Sequence, residues 1–159
     1  MSENEKPTKV LFVCMGNICR SPTAHAVFNK KVKSTQLVVE VESAGTINHH
    51  VGDPPDKRAI QHGSERGYDF SGLTARHVQD GDFEYYDLIL VMDKDNLKDL
   101  FKRCPEQYQH KVQLFLKYAD TFQNVEEVPD PYFGGAKGFE FVLDLIENAS
   151  DGLIKQLER

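Results

Sequence analysis

Near the start of the chain a cysteine and an arginine stand with five residues between them, in the run Cys14, Met15, Gly16, Asn17, Ile18, Cys19, Arg20, Ser21. A short loop of this kind can turn successive backbone N–H groups inward around an anion, and a helix following it adds its positive end at the same point. The planar fork of Arg20 can grip two oxygens of a phosphate, leaving a third to point outward as an ester bridge. Cys14 would then lie beneath the phosphorus. The same donors favour its thiolate, and Ser21 can donate a hydroxyl hydrogen to the sulfur and ease its later departure. Gly16 and Asn17 are residue types that tolerate the left-handed backbone of a tight loop. Far along the chain, Asp130 sits between Pro129 and Pro131, which restrict the backbone and could aim a carboxyl group. A carboxyl there could give a proton to a leaving oxygen and afterwards activate water. Tyr132 and Phe133 follow as candidates for an aromatic wall.

These groups cooperate only if the chain brings them together, and the surrounding pattern supplies the elements. Val10 to Cys14 is a continuous apolar run suited to a strand buried on both faces. Ser21 and Pro22 read as a helix N-cap with proline in the first turn, and Ala24, Val27, Phe28 and Val32 form the apolar side of that helix. The alternation continues with a strand over residues 37–41, a helix over 54–66 closed by Gly67, and a buried strand over 88–92. Asp93 can cap a helix carrying Leu97, Leu100, Phe101 and Cys104 on one face, and a fourth strand spans 112–115. A final helix over 136–157 keeps a helical period through Phe139, Val142, Leu143, Ile146, Leu153, Ile154 and Leu157. Alternating strands and helices imply an α/β fold: one four-stranded parallel sheet with helices on both faces and the candidate loop between the first strand and first helix. Ligands bind such sheets beyond the carboxyl ends of the strands, where this loop lies. The stretches 43–55, 67–87 and 119–135 read as irregular, and the first and third could wall a site.

The chain has 159 residues, of which 40% are apolar, enough for one domain and too few for two. The expected division is a flexible segment over 1–8 and a single domain over 9–159. A net charge of −6 provides no global attraction to nucleic acid or anionic lipid, so neither is an expected partner. No apolar run approaches the ~20 residues of a membrane span, and the polar N-terminus lacks the apolar core of a signal peptide. Three cysteines fit a reducing compartment, and a cytoplasmic location is expected.

The segments VLFVCMGNICRSPTA and DPYFGG resemble the two signatures of the low-molecular-weight protein tyrosine phosphatases. SAGT at Ser43 to Thr46, GDPPD at Gly52 to Asp56 and VMDKDN at Val91 to Asn96 extend the similarity over nearly the whole chain. The resemblance implies hydrolysis of phosphotyrosine in proteins, and of small aryl phosphates, through a phosphocysteine. It implies Cys14 as nucleophile, Arg20 as phosphate clamp, Ser21 as thiolate partner and Asp130 as general acid. Residues 14 to 21 would then hold the phosphate group, with His49, Tyr132 and Phe133 at the entrance. Inorganic phosphate and vanadate would be active-site ligands, and no cofactor or metal would be needed. Many members have a second tyrosine at Phe133 and a larger aromatic at His49, and some have a histidine where Leu73 stands, near the support of Asn17.

Other readings remain open for individual residues. Cys19 is either a small side chain packing inward or, by the resemblance, a disulfide partner that shields Cys14 from irreversible oxidation. Cys104 fits a core position, and the six histidines show no paired ligand spacing. A thioredoxin-coupled arsenate reductase shares this fold and loop but needs further thiols, of which the later chain offers only Cys104. A non-catalytic phosphotyrosine-binding module would not require Cys14 and Asp130.

Overall fold

The computed structural model describes residues 6–131 and 134–159, so Tyr132 and Phe133 lie outside the described residues. Its elements are β1 (Thr8–Cys14), α1 (Arg20–Val32), β2 (Val39–Gly45), α2 (Lys57–Glu65), α3 (Asp82–Tyr85), β3 (Leu88–Val91), α4 (Lys94–Phe101), β4 (Val112–Leu114) and α5 (Gly135–Leu157). The strands form one sheet in the order β2-β1-β3-β4, with every neighbouring pair parallel. Strand order reverses between β1 and β3, so the crevice beyond their carboxyl ends is the switch point where open α/β sheets bind ligands.

The period-two geometry of β1 divides the core. Val10, Phe12 and Cys14 join Ala24, Val27 and Phe28 of α1 and Val142, Leu143 and Ile146 of α5 in one cluster. Leu11 and Val13 face the opposite way, toward Phe83 of α3, Leu100 of α4 and Val112. From Val10 to Cys14 both faces of β1 are buried, which accounts for the unbroken apolar run there. Phe12 meets Phe28 and Phe115 edge-on at 5.7 and 4.9 Å. Truncating it would cost about 3–5 kcal/mol.

Several boundaries differ from the sequence pattern for physical reasons. Strand β1 begins at Thr8, inside the segment expected to be flexible, because Thr8 N–H donates to the Val38 carbonyl at 3.0 Å. Strand β2 starts two residues later than expected and runs on to Gly45, through polar Glu40, Glu42 and Ser43. As an edge strand it is half solvated, and its ladder with β1 is made by backbone, which the polar side chains conceal. The stretch 67–87 contains α3, and short 3-10 turns occupy Glu106–Lys111 and Phe115–Tyr118, so Phe115 belongs to a turn and not to β4.

Helix α2 is shorter than its pattern: Pro54 and Pro55 precede it, and Asp56 caps it by accepting from Arg58 N–H at 2.8 Å. It is fastened to α5 by Arg66, which pairs with Glu140, Asp144 and Glu147 at 2.7–3.0 Å. His62 Nδ1 lies 2.5 Å from Glu140 Oε2, and Glu65 stands close by. Glu140 is thus already balanced by Arg66 and His62, a structural explanation for that cluster. Among the described residues no helix is long and apolar enough to cross a membrane.

Candidate active site

The loop from Cys14 to Arg20 is shaped by what holds its carbonyl groups. Thr46 N–H donates to the Cys14 carbonyl at 3.0 Å, Ile47 N–H to that of Met15 at 3.1 Å, and Asp56 N–H to that of Ile18 at 2.7 Å. Thr23 takes the Cys19 carbonyl through both N–H and hydroxyl. These bonds tie the loop's carbonyl oxygens to neighbouring segments, and within the loop Asn17 N–H donates to Cys14 Sγ at 3.2 Å. Asn17 has φ 58°, the only positive φ at a non-glycine residue among those described. Gly16 needs no such freedom. The glycine pressed against this loop is Gly45, where a Cβ would stand 2.7 Å from the Met15 carbonyl oxygen.

Helix α1 starts at Arg20, two residues earlier than the Ser-Pro signal suggested, with Cys19 in the capping position and no side-chain cap. Ser21 does not cap the helix. Its Oγ lies 3.0 Å from Cys14 Sγ and accepts from Asn17 Nδ2 at 2.8 Å. Asn17 Oδ1 in turn accepts from Arg76 N–H at 2.9 Å, which fixes the orientation of the amide. Because Asn17 already donates to Ser21, the serine's own hydrogen is free for the sulfur, and the relay has one direction. Arg76 is braced by Asp82, whose oxygens accept from its guanidinium at 2.9 and 3.3 Å. The sequence offered no signal for this support, since a backbone N–H has no residue signature. Leu73 does not supply it and packs against the core.

Arg20 is 5% exposed. Its Nη1 donates to Asp93 Oδ2 at 2.7 Å and to the Val128 carbonyl at 2.9 Å. Among the described residues no group accepts from its Nε or Nη2, so one edge of the guanidinium stays available for a two-point grip on an oxyanion. Burial alone would lower the Arg20 pKa, but the Cys14 thiolate, Asp93 and Asp130 outweigh it and the net shift is upward. Asp93 uses its other oxygen to cap α4, accepting from Asn96 N–H at 2.7 Å within a reciprocal capping box.

A cleft of about 330 Å³ opens over this loop, lined by Cys14, Met15, Gly16, Ile18, Cys19, Arg20, Ile47, His50 and Asp130. Asp130 reaches it because Val128 N–H bonds the Met92 carbonyl at 2.8 Å, tying the third irregular stretch to the end of β3. His49 is exposed and is not part of the lining; His50 is, with its Nδ1 3.3 Å from Asp53 Oδ2. Adjacent histidines could not be told apart by sequence, and Ile47 was missed although it is apolar in a polar loop. Cys19 faces the cleft while packing with Ala59 and Phe139. Burial first, then Asp56, Cys14 and Asp130, push its pKa up to about 12, so it stays a thiol at neutral pH. Cys104 lies in the core cluster on the other face of the sheet.

A cysteine whose sulfur accepts from a loop N–H, with an arginine edge held open at the head of a helix, defines an α/β protein with a candidate oxyanion-binding loop that carries a thiol. Comparison with known proteins narrows the class. The sequence model of the low molecular weight phosphotyrosine protein phosphatases matches residues 9–159. A Synechocystis protein assigned to the low molecular weight protein-tyrosine-phosphatases is 45% identical over 94% of this chain and 96% of its own. The crystal structure of a protein tyrosine phosphatase from Entamoeba histolytica, with Hepes in its active site, superposes with TM-score 0.91 at 44% identity, covering 95% of this chain and 97% of that one. Vibrio vulnificus Wzb in complex with benzylphosphonate gives TM-score 0.82 at 30% identity, over 95% and 99% of the two chains. The chain belongs to the low molecular weight phosphotyrosine protein phosphatase family and is a protein-tyrosine-phosphatase by class.

Proposed function

We propose that this enzyme hydrolyses phosphotyrosine in proteins, and small aryl phosphates, through a phosphocysteine intermediate. The observation that carries the reading is that Cys14, the open edge of Arg20 and Asp130 face one cleft. The Cys14 thiolate attacks phosphorus as the bond to the ester oxygen breaks, and Asp130 transfers its proton to that oxygen. Water then attacks phosphorus on the phosphocysteine and gives its proton to Asp130. Sulfur leaves as the thiolate, eased by the hydrogen donated from Ser21 and the N–H of Asn17. Arg20 and the loop amides hold the equatorial oxygens throughout, where charge is spread in the transition state.

Apolar Met15, Ile18 and Ile47 give the cleft walls suited to a phenyl ring above the phosphate. The benzylphosphonate bound by Vibrio vulnificus Wzb has the same aryl-plus-tetrahedral-anion shape. His50, Tyr132 and Phe133 are the candidates for the entrance, and phosphotyrosine proteins are the partners of this site. Inorganic phosphate and vanadate are its small ligands. The three free cysteines suit the cytoplasm. A thiol relay of the arsenate-reductase kind has no support, since Cys104 packs on the opposite face of the sheet.

Rapid quenching of the enzyme with a ³²P-labelled aryl phosphate tests the reading. Acid-labile label should be recovered on the peptide containing Cys14, and Cys14→Ser should abolish both label and turnover while still binding vanadate. Label elsewhere, or substantial turnover by Cys14→Ser, would remove Cys14 from the nucleophile role.

A further inference from the structure

Helix α4 carries a surface that the chemistry of the cleft does not use. Lys94, Leu97, Lys98, Phe101 and Lys102 line a groove of about 440 Å³ along one side of the helix. Phe101 is 41% exposed, one of few large apolar side chains so open to water. The protein as a whole has net charge −6, so a stripe of three lysines beside an open aromatic runs against its overall field. Lys94 is engaged by Glu126 at 2.6 Å. Among the described residues Lys98 and Lys102 form no ion pair, although Asp95 and Asp99 stand on the next strip of the same helix.

We infer that this groove docks an acidic, extended segment of the phosphoprotein substrate, a step that deepens the proposed function and rests on it. Charge selects the occupant and spacing selects its conformation. Lys98 and Lys102 are one helical turn apart, about 6 Å along the axis. Alternate residues of an extended chain are about 6.6–6.8 Å apart. Two acidic residues separated by one other therefore match the two lysines, and an apolar neighbour can cover Leu97 and Phe101.

The groove is also reachable from the cleft. Asp93, which caps α4, is bonded to Arg20, so the helix begins beside the phosphate clamp and runs back along the sheet. From Asp93 to Lys102 the helix rises by about 14 Å. A substrate strand covers that distance in four or five residues at about 3.3 Å each. The acidic pair thus belongs within about eight residues of the phosphotyrosine.

The test compares three phosphotyrosine peptides of equal length, with an Asp-x-Asp-Leu segment on the N-terminal side, the same segment on the C-terminal side, or asparagines in its place. One acidic peptide should show KM lowered about five- to tenfold at low salt, and the advantage should shrink as ionic strength rises. The double variant Lys98→Glu, Lys102→Glu should abolish the advantage while para-nitrophenyl phosphate turnover stays unchanged. Equal KM values for all peptides, or a preference that survives in the double variant, overturn the docking site. A dimer in sedimentation equilibrium that the double variant dissociates would assign the groove to a second copy and overturn it too. Failure of every phosphotyrosine peptide to be hydrolysed would instead count against the proposed function itself, so the two failures are distinct.

Discussion

The carboxylate of Asp93 joins two jobs: one oxygen accepts from Arg20 Nη1 at 2.7 Å, and the other accepts from Asn96 N–H at 2.7 Å to cap α4. The guanidinium is therefore aimed by the same group that starts the helix. Asp93→Ala should lower kcat/KM about ten- to a hundredfold, the effect of losing one buried charge-assisted hydrogen bond. It should also cost about 1 kcal/mol of stability through the lost cap. Asp93→Asn retains a capping oxygen and should recover most of the stability with less of the activity. Urea unfolding and steady-state kinetics on the two variants separate the roles, and equal losses of activity and stability in both would contradict this division.

In the proposed mechanism Asp130 matters in proportion to how badly the leaving oxygen needs a proton. Asp130→Ala should slow phosphoryl transfer from phosphotyrosine by about 10²–10⁴. Transfer from aryl phosphates with electron-withdrawing rings should fall much less, because those phenolates leave unprotonated. Single-turnover rates across substituted phenyl phosphates should depend more steeply on leaving-group basicity in the variant than in the parent. Equal slopes would remove Asp130 from the acid role.

The grouping of the candidate residues was legible, for Cys14 and Arg20 from residue type and spacing and for Asp130 chiefly from the family resemblance. Cys14, Arg20 and Asp130 lie on one cleft, and the parallel sheet follows from strand and helix patterns already present in the sequence. What was hidden depends on backbone geometry. Ser21 resembles a cap because serine followed by proline usually is one, yet its hydroxyl is drawn to the sulfur. The Arg76 N–H that orients Asn17, and the length of β2 beyond Val41, are main-chain facts with no side-chain signature. His49 and His50 differ only by which way a turn directs them.

Cys19 gives a test of redox behaviour. Peroxide converts the Cys14 thiolate to a sulfenic acid, and attack by the Cys19 thiolate on that sulfur releases hydroxide and forms a disulfide. With its pKa pushed up to about 12, mainly by burial, Cys19 supplies little thiolate at neutral pH. Disulfide formation should therefore rise about tenfold per pH unit between pH 7 and pH 10, as followed by peptide mapping after a peroxide pulse. Cys19→Ser should regain less activity on reduction, with Cys14 recovered as the sulfinic acid. Full recovery of that variant would exclude a protective role.

Stability should carry a histidine signature. His25 is buried on α1, with Nδ1 3.3 Å from Ser43 Oγ, and burial pushes its pKa below the ordinary 6.5 despite the opposing charge of Glu42. The folded state thus binds this proton less readily than the unfolded state. The resulting stability is fully present above pH 6.5 and is lost as pH falls from there through the folded value. His25→Gln, which keeps a partner for Ser43, should flatten the decline in unfolding free energy between pH 7 and pH 5. Parallel pH profiles for the two proteins would show that another group causes the decline.

The alternation of β1 has a consequence for insertions and deletions. Cys14 shares a face with Phe12 and Val10, while Leu11 and Val13 look toward α4. Adding or removing a single residue within this strand would exchange its faces and turn the Cys14 sulfur toward Leu100, behind the sheet from Ser21. A change of two residues would keep the facing but carry the sulfur about 6.6 Å along the strand, away from Ser21 and the Asn17 N–H that meet it. The distance in sequence from the first buried valine to the cysteine is therefore as constrained as the identity of either residue, and β1 is a poor place to tolerate length variation even where its apolar side chains are interchangeable.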